Sequence, residues 1–142
     1  MQKLSLRTQR RTQLLDITRQ IREAVAGSGV QQGFCYVFVP HTTAALTVNE
    51  GADPTVARDL ERALENLVPW EGAYTHAEGN SAAHIRAALL GHSQWLRIEG
   101  GRLKLGTWQG VFFCEFDGPR QRQVWLQVLP EAAVDAPAGR ML

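Results

Sequence analysis

Three features of the sequence predict an α+β fold. The helical periodicities are grouped rather than alternating strictly with strands, the order runs ββαββαα, and several strand patterns then follow one another. Residues 3–8 and 10–15 read as two short strands that bring the chain to Asp16, whose carboxylate caps a helix starting at Ile17. Ile17, Ile21 and Val25 recur every four residues as its apolar face, and Gly27 and Gly29 stop it.

Residues 33–39 form a continuous apolar, aromatic and β-branched run, expected as a strand buried on both faces and ended by Pro40. A strand resumes at 43–48. Asp53-Pro54 then supplies an N-cap with proline at the first helical position, and Val56, Leu60, Leu64 and Leu67 give the second helix its core stripe. Pro69, Gly72 and the polar tract to Gly79 describe a loop. The third helix is expected to open at Asn80 or Ser81, close before Gly91 and bury Ile85, Ala88 and Leu89.

From Trp95 onward the pattern predicts a β meander, with strands at 95–99, 102–105, 109–116 and 121–129 and the last turn filled by Asp117, Gly118 and Pro119. Alternation sets Val111, Phe113 and Glu115 on one face and Phe112, Cys114 and Phe116 on the other. Glu115 therefore interrupts an apolar strand and needs a partner, for which Arg120, Arg122 or a histidine-bound ion are candidates. Residues 1–130 are expected to form one domain. Residues 131–142, EAAVDAPAGRML, carry no period and are expected to be a loosely ordered tail.

Composition excludes several classes. Hydrophobic residues at 44% and charged residues at 20% are ordinary for a soluble domain, and a net charge of +1 lacks the broad footprint of a nucleic-acid binder. The N-terminal stretch MQKLSLRTQRRTQ has no apolar secretory segment and no spanning run follows, so a cytoplasmic protein without membrane partners is expected. Lys3, Arg7, Arg10, Arg11, Arg19 and Arg22 against Asp16 make either a solvated surface or a local anion-attracting patch. Cys35 and Cys114 sit in apolar segments as small buried hydrophobes, without ligand spacing or an expected disulfide.

Polar chemistry concentrates around three of the four histidines. His41 follows a strand at a sheet end, with Thr42 and Thr43 beside it and Asn49, Glu50 and Asp53 at the other end of the next strand. The stretch HAEGNSAAH gathers His76, Glu78, Asn80, Ser81 and His84 around Gly79, whose missing Cβ lets backbone approach a ligand. A helix starting at Ser81 puts His84 in its first turn, pointing back toward His76. Three neutral imidazoles, His41, His76 and His84, suit a divalent metal with an open coordination position, zinc first and magnesium or another ion as alternatives. Glu78 or Glu50 then moves protons, and the free N–H groups at Asn80 and Ser81 favour an anion. The bland alternatives are a corner hydrogen bond for His41, a surface imidazole for His84 and a structural role for His92 at a helix end. Trp108 and Gln109 either line a pocket or pack.

Together HTTAALTVNE with Asp53-Pro54, HAEGNSAAHIRAALLG and GTWQGVFFCEFDGPR resemble, in order and separation, the motifs of the YjbQ family. That family is also catalogued as the secondary thiamine-phosphate synthase enzyme family, and the resemblance covers residues 1 to 130. It implies a β-sandwich with flanking helices that assembles as a homotrimer around a threefold axis, with metal at His41, His76 and His84. It also implies a reaction that joins an aminopyrimidine diphosphate to a thiazole phosphate and releases pyrophosphate. A metal ion, Lys104 or Arg120 would neutralise the departing charge. The expectation is thus a metal-dependent enzyme for a small phosphorylated or anionic substrate, with Glu50, Glu78, Asn80 and Ser81 as catalytic candidates. Thr42, Thr43, Asn49, Asp53, Lys104, Gln109 and Arg120 are the substrate-binding candidates. Hydrolysis and a non-catalytic metal or small-molecule-binding module are the alternatives.

Overall fold

Eight strands and three α-helices form among residues 1–132, which the structure, a computed structural model, describes. In chain order they are β1 (Gln2–Arg7), β2 (Gln13–Asp16), α1 (Thr18–Ser28), β3 (Gln32–Phe38), β4 (Ala44–Glu50) and α2 (Pro54–Leu67), then α3 (Ser81–Leu90), β5 (Ser93–Glu99), β6 (Arg102–Lys104), β7 (Gln109–Glu115) and β8 (Gln121–Pro130). Two antiparallel sheets result, one ordered β1-β8-β3-β5-β6 and the other β2-β7-β4. The α+β prediction holds. The meander does not: β5 and β6 form a hairpin, but β7 crosses to the smaller sheet and β8 returns between β1 and β3.

The reason lies in β7, whose two faces are both apolar and so require a layer on each side. Val111 and Phe113 point into the core shared by the two sheets and α1, while Phe112, Cys114 and Phe116 face α2 and α3. The predicted alternation of this strand is what the structure shows. Ile17, Ile21 and Val25 close the main core from α1. Asp16 Oδ1 accepts the Thr18 N–H at 2.9 Å, so the helix opens one residue later than expected. Gly27 lies inside it, and the stop falls to Gly29, whose φ of 74° suits a residue without Cβ.

Three burial expectations are corrected. β3 is not covered on both faces: Cys35 and Val37 are buried, but Phe34, Tyr36 and Phe38 form an outer face with Trp95 and Trp125. On α2, Leu67 is 70% exposed and Glu61 is turned inward instead. On α3, Ile85 and Leu89 are exposed, as is Ala88, and Ala82, Ala83 and Ala87 pack inward with Arg86. Small residues let that helix lie close to the sheet, an advantage that outweighs the larger apolar area of the other face.

Glu131 donates its N–H to Gln32 O at 2.8 Å and pairs with Arg97, so the expected tail is anchored at its first residue. The rest of that expectation, residues 133–142, lies outside the described residues. Among those described, no helix is long and apolar enough to cross a membrane.

Candidate functional site

The loop between α2 and α3 folds His76 back over the start of α3. Its carbonyl accepts the Gly79 N–H at 3.1 Å, and Gly79 takes a φ of 73° to close the turn. A Cβ there would meet open space, so the glycine is needed for its backbone angle rather than for a close approach. Tyr74 ties the loop down by donating its hydroxyl to Pro69 O at 2.6 Å. His76 and His84 consequently stand edge to face, with ring centroids 5.4 Å apart. They line a cavity of about 450 Å³ with Tyr74, Thr75, Ser81 and Ile85. Glu78 Oε2 is 4.0 Å from His76 Nε2.

The N-terminus of α3 opens beside this pair without a side-chain cap. Asn80 occupies the capping position, but its Nδ2 donates to Asp117 Oδ2 at 2.9 Å, which turns the amide away from the helix. Asn80 Oδ1 is left as a buried acceptor without a partner, a costly arrangement. Among the described residues no acceptor pairs with the backbone N–H of Ser81 or Ala82. Arg120 reaches the same carboxylate, donating from its terminal nitrogen to Asp117 Oδ2 at 3.0 Å.

His41 lies in a separate cavity of about 480 Å³, with Phe38, Thr42, Thr43, His92 and Arg122. Its Nε2 accepts the Gln123 N–H at 3.0 Å, which places the ring's lone pair there and the neutral ring's proton on Nδ1. Burial, and then the Arg122 charge, hold its pKa below the usual histidine value, so the neutral form is favoured. The expected three-histidine set does not form within one chain, and no group of three or more His, Cys, Asp or Glu suited to a metal occurs among the described residues. His92, expected in a structural role at a helix end, packs its ring edge-on against Phe38 at 5.1 Å and lines the His41 cavity.

A buried network connects the two regions. Glu115, fully buried, accepts from Arg122, from Thr8 Oγ1 at 2.7 Å and from the Asp117 N–H at 3.1 Å. Burial pushes its carboxyl up, but these hydrogen bonds outweigh that and hold its pKa below the ordinary glutamate value. Arg122 also donates to Thr43 Oγ1 at 2.8 Å. Of the partners the sequence offered for Glu115, Arg122 is the one used. Thr8 and Asp117 were missed; the one available signal was that a buried carboxylate must find several donors.

The remaining candidates sit elsewhere. Asn49 accepts the Glu50 N–H, Glu50 accepts the Ala52 N–H, and Asp53 caps Thr55. They occupy the far end of β4, about 20 Å from its Thr43 end by strand rise. Gln109 pairs in register with Glu50 and accepts the Gly106 N–H. Lys104 is on the edge strand β6, 3.5 Å from Glu99. Trp108 is 66% exposed. Within one chain these residues do not join either histidine cavity.

Two stacked antiparallel sheets flanked by helices, with paired histidines at an uncapped helix start, define a small α+β protein with a polar cavity on its helical side. Residues 2–131 match the family described as UPF0047 protein YjbQ-like, and the chain belongs to that family. The UPF0047 protein of Methanocaldococcus jannaschii is 46% identical over 127 residues, covering 89% of this chain and 92% of its own. The crystal structure of a YjbQ/UPF0047 family protein from Clostridium acetobutylicum superposes with a TM-score of 0.89 at 51% identity, covering 91% of this chain and 100% of that one. A YbjQ-like protein of unknown function from Sulfolobus solfataricus gives 0.88 at 32% identity, covering 92% and 96%.

Proposed function

We propose that the protein is a metal-assisted enzyme acting in the cytoplasm on a small phosphorylated or otherwise anionic substrate, bound in the cavity of His76 and His84. The observation that carries this reading is the pair of perpendicular imidazoles 5.4 Å apart beside an uncapped helix start. Two imidazoles sharing one ion at about 2.0–2.1 Å have centroids roughly 5–6 Å apart, so the pair fits a borderline ion such as zinc. When bound, a divalent cation would polarise a phosphoryl or carbonyl oxygen.

The chain's own groups supply the rest. The Ser81 and Ala82 N–H groups bind anionic oxygens, and the Ser81 hydroxyl orients them. Glu78 is placed to hold or move a proton near His76. Arg120, drawn to Asp117, adds positive charge near the same helix end. Joining an aminopyrimidine diphosphate to a thiazole phosphate breaks a C–O bond, forms a C–N bond and releases pyrophosphate, whose charge this arrangement stabilises. Hydrolysis of a phosphate ester would use the same groups.

The homotrimer belongs to this proposal and is supported by the outer face of the five-stranded sheet. Trp95 is 60% exposed there among Phe34, Tyr36, Phe38 and Trp125, an apolar surface suited to covering by other copies.

Metal content tests the core of the reading. His76→Ala and His84→Ala should each lose the ion measured by inductively coupled plasma mass spectrometry while remaining folded; equal metal in wild type and both variants would refute it. Chelation that unfolds the protein would assign the ion to structure, whereas an intact apo fold without turnover supports catalysis. Failure of the overexpressed gene to rescue a thiamine-requiring host that lacks its main synthase would remove the thiamine reaction.

A further inference from the structure

Part of the N-terminal basic cluster meets a buried cation from α3 in a cleft separate from both histidine cavities. This cleft, about 730 Å³, lies between the β1–β2 turn, the C-terminal end of α2 and α3, and its charged walls are Arg10, Arg11, Arg86 and Glu65 around Trp70. Arg86 is 2% exposed, yet no carboxylate approaches it within 4.0 Å among the described residues. Its guanidinium donates only to neutral oxygens, to Val68 O at 3.0 and 2.8 Å and to Thr12 Oγ1 at 3.2 Å. Burial lowers its pKa from the usual arginine value, which marks a charge short of compensation.

A purely structural role accounts for part of this, because Val68 is the C-cap of α2 and a cation suits a helix C-terminus. It does not account for Arg11. That guanidinium lies 4.2 Å over the Trp70 ring, which holds it in place. Among the described residues the Arg11 side chain makes no hydrogen bond or ion pair, and the Trp70 indole N–H makes none either. Arg10, by contrast, is committed to Glu61 through two contacts of 3.1 Å. The uncommitted Arg11 and the Arg86 guanidinium, bonded only to neutral oxygens, share the cleft with one carboxylate, Glu65, leaving it positive.

We propose that this cleft is a second ligand site, taking a small oxyanion of the phosphate or carboxylate type beside Trp70, with Arg11 as its principal donor and Arg86 as its buried positive charge. A planar fork already stacked on an indole loses little freedom when it binds such a group, and the buried cation raises the local potential for it.

The test is a titration of the full chain with inorganic phosphate at constant ionic strength, following the Trp70 indole N–H cross-peak in proton–nitrogen NMR, assigned from its loss in Trp70→Phe. A saturable shift is expected, with affinity about tenfold weaker in Arg11→Gln, where one bidentate charged contact is lost. His84→Ala should leave the affinity at this peak unchanged, which separates the cleft from the histidine cavity. A parallel titration with acetate distinguishes a carboxylate site from a phosphate site. No saturable shift with either anion, or equal affinity in wild type and Arg11→Gln, would overturn the proposal. Arg11 is exposed, so its variant remains informative even where Arg86→Met fails to fold.

Discussion

The two ends of the three-stranded sheet carry the same kinds of residue and use them differently. At the far end, Asn49, Glu50, Asp53 and Gln109 each bond a backbone N–H within three residues of themselves. At the other, Thr43, Glu115 and Arg122 bond one another across 79 and 7 residues and reach Asp117 beside α3. Polar side chains near water can settle for local backbone partners, whereas buried ones must be satisfied by whatever the fold brings to them. The difference separates polar residues that shape a turn from those that organise a site.

The largest effect that sharpens this contrast is expected from Arg122→Met, which strands a buried carboxylate and should cost about 3–5 kcal/mol in urea unfolding. Adding Glu115→Leu should recover much of that loss. If the single variant unfolds at the same urea concentration as wild type, the network is not buried as described. On α2, Glu61→Ala removes the acceptor of the Leu14 N–H and of Arg10, and about 1–3 kcal/mol is expected from the same measurement. Asp53→Ala should lower Tm by less, since only a helix cap is lost.

Acid should act chiefly on the network end. The pKa of Glu115 lies below its ordinary 4.5, so its contribution is complete above about pH 4.5 and is lost as pH falls through the folded value. The pKa of His41 lies below its ordinary 6.5, so the unfolded chain takes up a proton first and stability declines as pH falls from 6.5 through the folded value. Unfolding at a series of pH values should therefore show a shallower decline near pH 6 in His41→Gln than in wild type. The smallest effect is expected from Glu50→Gln, with metal content and turnover both unchanged. Loss of either would place Glu50 at the site across a subunit boundary, and metal loss in His41→Ala would do the same for that ring.

Much of the fold was legible because its signals are local. Asp53-Pro54 and the glycine after α1 mark helix ends, and the alternation of β7 was readable because both its faces are buried in unlike layers. The aromatic run of β3 misled, since an outer face of Phe34, Tyr36 and Phe38 is as apolar in sequence as an inner one. The face of α3 misled in the opposite sense, with alanines and Arg86 inside and Ile85 and Leu89 outside. Hydrophobicity ranks residues by transfer from water but carries no information on how closely two elements approach.

The same division runs through the candidate site. Sequence alone determined that His76 and His84 would converge, because a glycine turn followed by a helix start leaves few ways to arrange nine residues. Only tertiary structure decided that His41 would stand apart and accept the Gln123 N–H, that Asp117 would draw Asn80 off its helix, and that Arg122 would answer Glu115. Short-range geometry is written in backbone preferences, while the partner of a buried charge depends on which distant strands come to share an edge.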